Sequence, residues 1–234
     1  MKWRIFAGLL LAMPLRASAQ VGYLPAQSPY RSIDRGIYVE AGGDRILGSG
    51  GALLVGPRDG TGEGLRFVLR GRNALQFSFG IWTAATVRSV IDANDSIARR
   101  NKGLFPQRLI GGEFNAQLNL TGGKTWHHLA PYAGVGFGVV HGQGGPAIDT
   151  SGYSFGTKLF IAPGLGNRLF ISQRLYLQTD VRALFWKLVY PASYSNEPSQ
   201  QPGTVDHSNA VNTTGSLNQY TLTPELRVGI GIAW

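Results

Sequence analysis

The chain has 234 residues, a formal net charge of +9, 33 glycines and no cysteine. Charged residues make up 15% against about 25% in an average soluble domain, and glycine is about twice its usual share, which disfavours an ordinary helix-rich cytosolic domain. Without cysteine there can be no disulfide, thiolate metal site or cysteine nucleophile, and nucleic-acid binding is disfavoured because it needs basic residues gathered on one face, whereas here they are scattered among apolar stretches.

At the N-terminus, the basic tetrapeptide Met1 to Arg4 precedes the apolar run Ile5 to Leu15, and Ala17-Ser18-Ala19 follows as a small-residue cleavage signature. This pattern predicts a signal peptide over 1–19, cleaved before Gln20. The run is too short for a membrane-spanning helix, which needs roughly 20 residues. Losing Lys2, Arg4 and Arg16 with the leader lowers the net charge to +6. Residues 20–35 are expected to form a periplasmic lead-in.

From Ile37 onward the dominant period is two, the signature of strands with one apolar and one polar face. Alternation predicts eight strands: Ile37 to Asp44, Gly62 to Arg70, Leu75 to Arg88, Ile110 to Leu120, Trp126 to His141, Tyr153 to Gly166, Phe170 to Val189 and Asn218 to Trp234. Tight turns are expected at Gly71-Arg72-Asn73, Gly122-Gly123 and Gly166-Asn167-Arg168, whose residues tolerate positive φ. The first would pair Arg66 with Ser78, and the second Glu113 with Tyr132. The other connections, 45–61, 89–106, 142–152 and 190–217, are longer. Short turns at one end and long loops at the other are the layout of a transmembrane barrel.

Alternation alone is unchanged when inside and outside are exchanged. Three features choose the lumen. The non-apolar face is rich in small residues such as Gly134, Gly136, Gly138 and Gly164, suited to a crowded interior; the mid-strand charges share that face; and the chain ends in an aromatic residue. The expected fold is an all-β, eight-stranded antiparallel up-and-down transmembrane β-barrel over 36–234.

The last eight residues, Arg227-Val-Gly229-Ile-Gly-Ile232-Ala-Trp234, resemble the assembly signal of bacterial outer-membrane barrels at four keyed positions: Arg227, Gly229, Ile232 and Trp234. The resemblance extends over the architecture from about Gly36 and implies a small barrel of the OmpA/OmpX kind in the bacterial outer membrane. It also implies contact with outer-membrane lipid and lipopolysaccharide, and with periplasmic chaperones and the barrel-assembly machinery in transit. Ser28-Pro29-Tyr30-Arg31 and the segment Val55 to Gly60 look similar to a subgroup of such barrels from environmental bacteria, a match that implies no activity.

Side chains just fill an eight-stranded barrel, so charges inside it need partners. The predicted lumen charges are Glu40, Arg66, Arg70, Glu113, Lys158, Asp180, Arg182, Glu225 and Arg227. In the last two strands, Asp180 with Arg227 and Arg182 with Glu225 share one index sum, so a single antiparallel register would match both opposite-charge pairs. That predicts a salt-bridge plug, with a selectivity constriction in a narrow solute channel as the alternative.

A lipid-modifying enzyme is a third reading. It would need Ser, His and a carboxylate grouped near one interface, and His127, His128, His141 and His207 have no such arrangement. Nor do they have i, i+2 or i, i+4 metal-ligand spacing. No cofactor is expected. Trp126 and Trp234 are expected at the short-turn rim and Trp186, Tyr190, Tyr194 and Tyr220 at the other, with Trp82 and Trp186 turned into the lumen by parity.

Overall fold

The computed structural model describes residues 28–33, 36–70, 74–92, 95, 99–143, 145–195 and 216–233. The proposed leader, His207 and Trp234 lie outside them. The described strands are β1 (Tyr30–Ser32), β2 (Gly36–Ser49), β3 (Arg58–Arg70), β4 (Leu75–Ile91), β5 (Asn101–Asn119), β6 (Lys124–Trp126), β7 (Leu129–Gly142), β8 (Gly156–Phe170), β9 (Leu175–Val189) and β10 (Asn218–Ala233). The eight long ones pair antiparallel in chain order, and β10 pairs back onto β2, closing the sheet into a barrel. Closure removes the exposed edges on which an open sheet would aggregate.

Period-two alternation becomes two opposite surfaces. Along β4, Phe77, Phe79 and Ile81 face outward, Ile81 with 69% exposure, while Gln76, Ser78 and Trp82 are buried inside. On β5 the outward apolar set runs from Ile110 to Leu118, and Leu120 continues it just past the strand. Ten residues at ~3.4 Å rise and ~40° tilt span about 26 Å, matching the ~25 Å apolar band of an outer-membrane barrel.

The strands are longer than the alternation predicts at the long-loop end, leaving connections at 50–57, 92–100 and 143–155. Three turn expectations are corrected. Arg66 pairs with Gly80, and Ser78 pairs with Val68, so the β3–β4 connection is wider than three residues. Glu113 pairs with Gly138, and Tyr132 with Asn119. The Gly-Gly segment does not join the two barrel strands directly, because β6 makes an excursion and pairs with β1. Tyr30 to Ser32 of the lead-in is therefore strand.

The third turn falls at Ile171 to Arg174, where the Ser172 hydroxyl accepts from the amides of Arg174 and Leu175. Gly166 is instead glycine for lack of room: a Cβ there would collide with the Asp180 carboxylate and the Tyr132 ring. Finally, His127 and His128 form a turn themselves, with φ of 48° and 67° between the paired Trp126 and Leu129. Two successive left-handed residues make a type I′ hairpin.

Candidate functional site

The lumen is the chemically distinctive part of the molecule. Inward positions of β2, β3, β5, β8, β9 and β10 deliver five carboxylates, Glu40, Asp44, Glu113, Asp180 and Glu225, and five guanidinia, Arg66, Arg70, Arg168, Arg182 and Arg227, all buried. The β9–β10 register sets Asp180 opposite Arg227 and Arg182 opposite Glu225.

At the centre is a closed square of alternating charge. Arg182 donates from Nε to Glu225 at 2.8 Å and lies 2.8 Å through Nη2 from Glu113. Arg227 reaches the same two carboxylates, from Nε to Glu225 at 2.7 Å and from Nη1 to Glu113 at 2.5 Å. Each acid thus touches two guanidinia. A lone buried charge is very costly, and only close pairing with saturated hydrogen bonds offsets that cost.

Arg66 links this square to the next layer, 3.9 Å from Glu113, 3.5 Å from Glu40 and 3.3 Å from Asp180. Asp180 is therefore held by Arg66, with a hydrogen bond of 2.6 Å donated by the Gln178 side-chain amide, and not by the Arg227 that faces it across the ladder. The expectation of two direct cross-strand pairs holds for Arg182 with Glu225 only. Arg227 bends instead toward the carboxylate two residues back on its own strand and across the lumen to Glu113.

Arg168, fully buried, fills the next layer. It donates to Glu40 and to the side-chain carbonyls of Gln76, Gln117 and Gln178 at 2.6–3.3 Å, and it lies over the Tyr132 ring at 4.3 Å. The Tyr176 hydroxyl donates to Glu40 at 2.6 Å. Sequence reading missed Arg168 by placing it in a turn; once β8 continues to Phe170, even parity points it inward. Asp44 was missed as well, although its parity matches that of Glu40. Toward the short turns, Arg70 makes no ion pair among the described residues. Its guanidinium rests against Tyr38, Phe170 and Tyr176 at 4.4–5.5 Å, a cation–π arrangement. Lys158 does not join the network; it is half-buried beside the Phe155 ring.

Above the square the lumen turns apolar, with Trp82, Phe160, Phe155 and Trp186 in edge-to-face contacts. The long-loop connections fold over it. Tyr153, Tyr190 and Tyr194 pack with ring centroids 6.0–6.5 Å apart, and Arg88, buried, pairs with Asp149 of the loop at 2.5 Å. Burial pushes the Tyr194 hydroxyl up to about 12, and that hydroxyl donates to Ser151 at 3.0 Å. The Tyr153 hydroxyl, buried beside two other tyrosines, is raised further.

Two voids of about 40 and 20 Å³ touch the network, space for a few waters at most. Among the described residues no group of His, Asp and Glu is arranged to hold a metal. His141 lies on the outer wall against Thr157 at 2.9 Å, remote from the turn that holds His127 and His128.

No family model and no curated protein matches the sequence. Solved structures do resemble the fold. The outer membrane protein OprG from Pseudomonas aeruginosa matches at 11% identity over 87% of this chain and 98% of its own, with a TM-score of 0.51. Neisserial surface protein A (13% identity, 88% and 98% covered, TM-score 0.48) and a major outer membrane protein from Thermus thermophilus (16%, 85% and 98%, 0.46) are also similar. The architecture is that of the small bacterial outer-membrane barrels.

Proposed function

We propose that this chain is an integral outer-membrane protein whose plugged barrel serves the envelope as a structural or surface-interaction element, rather than as a solute channel or an enzyme. The observation that carries the reading is the closed square of Glu113, Arg182, Glu225 and Arg227 across the lumen. A conducting pore needs a continuous water path. Here ion pairs occupy the middle and the tyrosine cluster covers the long-loop end. The loops are then the part of the protein presented outside the cell, and the apolar band holds the barrel in lipid.

Planar-bilayer recording in molar KCl tests this. Purified, folded protein is expected to give no stepwise current, and regular unitary openings from the wild-type barrel would establish the channel instead. Glu113→Ala together with Glu225→Ala removes half of the square and is expected to introduce openings.

A further inference from the structure

The apolar band is interrupted on β2 and β3. Outward positions of β2 read Ile37, Val39 and Ala41 and then Gly43 and Arg45, while those of β3 read Leu69, Phe67 and Leu65 and then Glu63 and Thr61. The register gives their depth. A row of ladder partners followed from Tyr38 through Val68, Ser78, Asn115 and Gly136 climbs round the barrel and meets β2 again at Gly48, ten residues nearer the long loops. Each step to the next strand therefore lifts the row by about 3 Å, and each residue along a strand adds about 2.6 Å.

Glu63 pairs with Gly43 one strand away, and Arg45 stands two residues above Gly43, so the two charges lie within about 2 Å of one height. They are well inside the band. On the same scale Arg108, His141 and Lys187, the outward polar residues that end the band on β5, β7 and β9, lie about 8 Å higher. At the depth of Arg45 and Glu63 the far wall presents Phe137 and Ile161, and neighbouring β10 presents Leu226 just below. Among the described residues no other charge faces outward inside the band. Arg45 and Glu63 are both exposed, and neither has an ion-pair partner among the described residues. Charges turned toward acyl chains are destabilising, increasingly so with depth, unless an opposite charge meets them.

The wall around them is also low. A Cβ on Gly43 would meet nothing closer than 3.5 Å and one on Gly112 nothing closer than 4.0 Å, so packing within the barrel does not require glycine at either. With Ala41 they leave a shallow hollow, bordered by Glu63, Leu65, Ile81, Thr83 and Ile110. Small outward residues let a second wall approach closely.

We propose that the β2–β3 face is a homodimer interface within the membrane, in which Arg45 of each copy pairs with Glu63 of the other. The inference rests on the outer-membrane reading. A two-fold axis along the membrane normal keeps every residue at its own depth, so groups that pair across it must share a height. Arg45 and Glu63 meet that demand. With the axis in front of the β2–β3 seam, β2 of one copy faces β3 of the other, and the two opposite charges on adjacent strands become two reciprocal pairs. An unrelated partner would place no such condition on their depths.

Charge reversal separates pairing between copies from pairing within one. The chain has no cysteine, so Ala147→Cys, at an exposed loop position, gives a single attachment point for donor and acceptor dyes. Energy transfer is measured in vesicles of phosphatidylethanolamine and phosphatidylglycerol over a series of protein-to-lipid ratios. Wild type is expected to show transfer that persists on dilution with lipid. Arg45→Glu alone and Glu63→Arg alone should each weaken association at least about tenfold, because like charges then oppose one another. Mixing the Arg45→Glu chain with the Glu63→Arg chain should restore association to within about threefold of wild type, since each copy then presents one sign to the other. Heat-modifiable migration in gels verifies that each variant is a barrel. Wild-type transfer that vanishes on dilution, single variants that associate as wild type does, or a mixture no better than its components overturns the interface while leaving the barrel reading intact. A wild-type chain that forms no heat-modifiable barrel in vesicles overturns both.

Discussion

At the scale of single residues, Glu113 holds the lumen together. Its side chain is 1% exposed and lies against Arg182, Arg227 and, more distantly, Arg66. Glu113→Gln preserves shape but leaves two guanidinia short of countercharge in a space that water barely enters. Breaking a buried pair costs about 3 to 5 kcal/mol, mostly from the stranded charge. The unfolding midpoint in urea with lipid vesicles should therefore fall markedly, followed by tryptophan fluorescence. Lys158→Ala is the control and should leave the midpoint nearly unchanged, because Lys158 lies outside the network. Arg182→Met added to Glu113→Gln should cost clearly less than the sum of the single effects, since the two share one interaction; additive losses would mean that the square contributes nothing as a unit.

Among the elements, the β6–β7 hairpin is built against its sequence. His127 and His128 both occupy left-handed backbone, with φ of 48° and 67°, where a residue with a Cβ pays roughly 1 to 2 kcal/mol. Asn-Gly is the favoured pair for this turn. The double replacement His127→Asn, His128→Gly should raise the unfolding midpoint, by up to about 2 kcal/mol in stability. A fall would show that the imidazoles make contacts at the rim that outweigh the strain, such as the edge-on approach of the His127 and Trp126 rings at 4.9 Å. Elsewhere the wall has a local interruption: the β8–β9 ladder omits Ala162 and Pro163 and resumes in the same register at Gly164. Proline lacks the amide that the rung needs, and β7 continues to pair with Pro163 through Val135 on the other side.

At the scale of the whole molecule, closure depends on the last residues of the chain. β10 is paired on one side with β9 and on the other with β2, so the barrel cannot seal until the C-terminal strand is in place. This gives a physical reason for an assembly signal there. Arg227 belongs to the lumen square, Gly229 packs too tightly against the backbone of Ala41 and Gly42 to carry a side chain, and Ile232 faces outward with 53% exposure. We infer that Trp234 completes the signal. Deleting it should leave export and leader cleavage intact while the protein accumulates in the periplasm. Cell fractionation and heat-modifiability check this, and normal insertion of the truncated chain would sink the inference.

Much of this architecture is legible in the residues alone. Strict alternation, the Gly-rich polar face and the unequal loop lengths determine an eight-stranded barrel, because side-chain direction in a strand has a period of two and only a closed sheet satisfies every backbone group in lipid. The shared index sum of Asp180 with Arg227 and of Arg182 with Glu225 is likewise a property of the sequence. Turn positions were not legible. Gly166-Asn167-Arg168 has turn composition but serves packing, and His127-His128 lacks turn composition but makes one; the difference lies in distant neighbours, Asp180 and Tyr132 for the first. Partner choice inside the lumen was also decided by tertiary structure. Asp180 turns to Arg66, 114 positions away in the chain, and Arg227 turns to Glu113 at the same separation. Curling the sheet brings strands that are not neighbours face to face across the axis, and long arginine side chains reach over that gap to whichever carboxylate lies closest, a geometry that no index sum between adjacent strands contains.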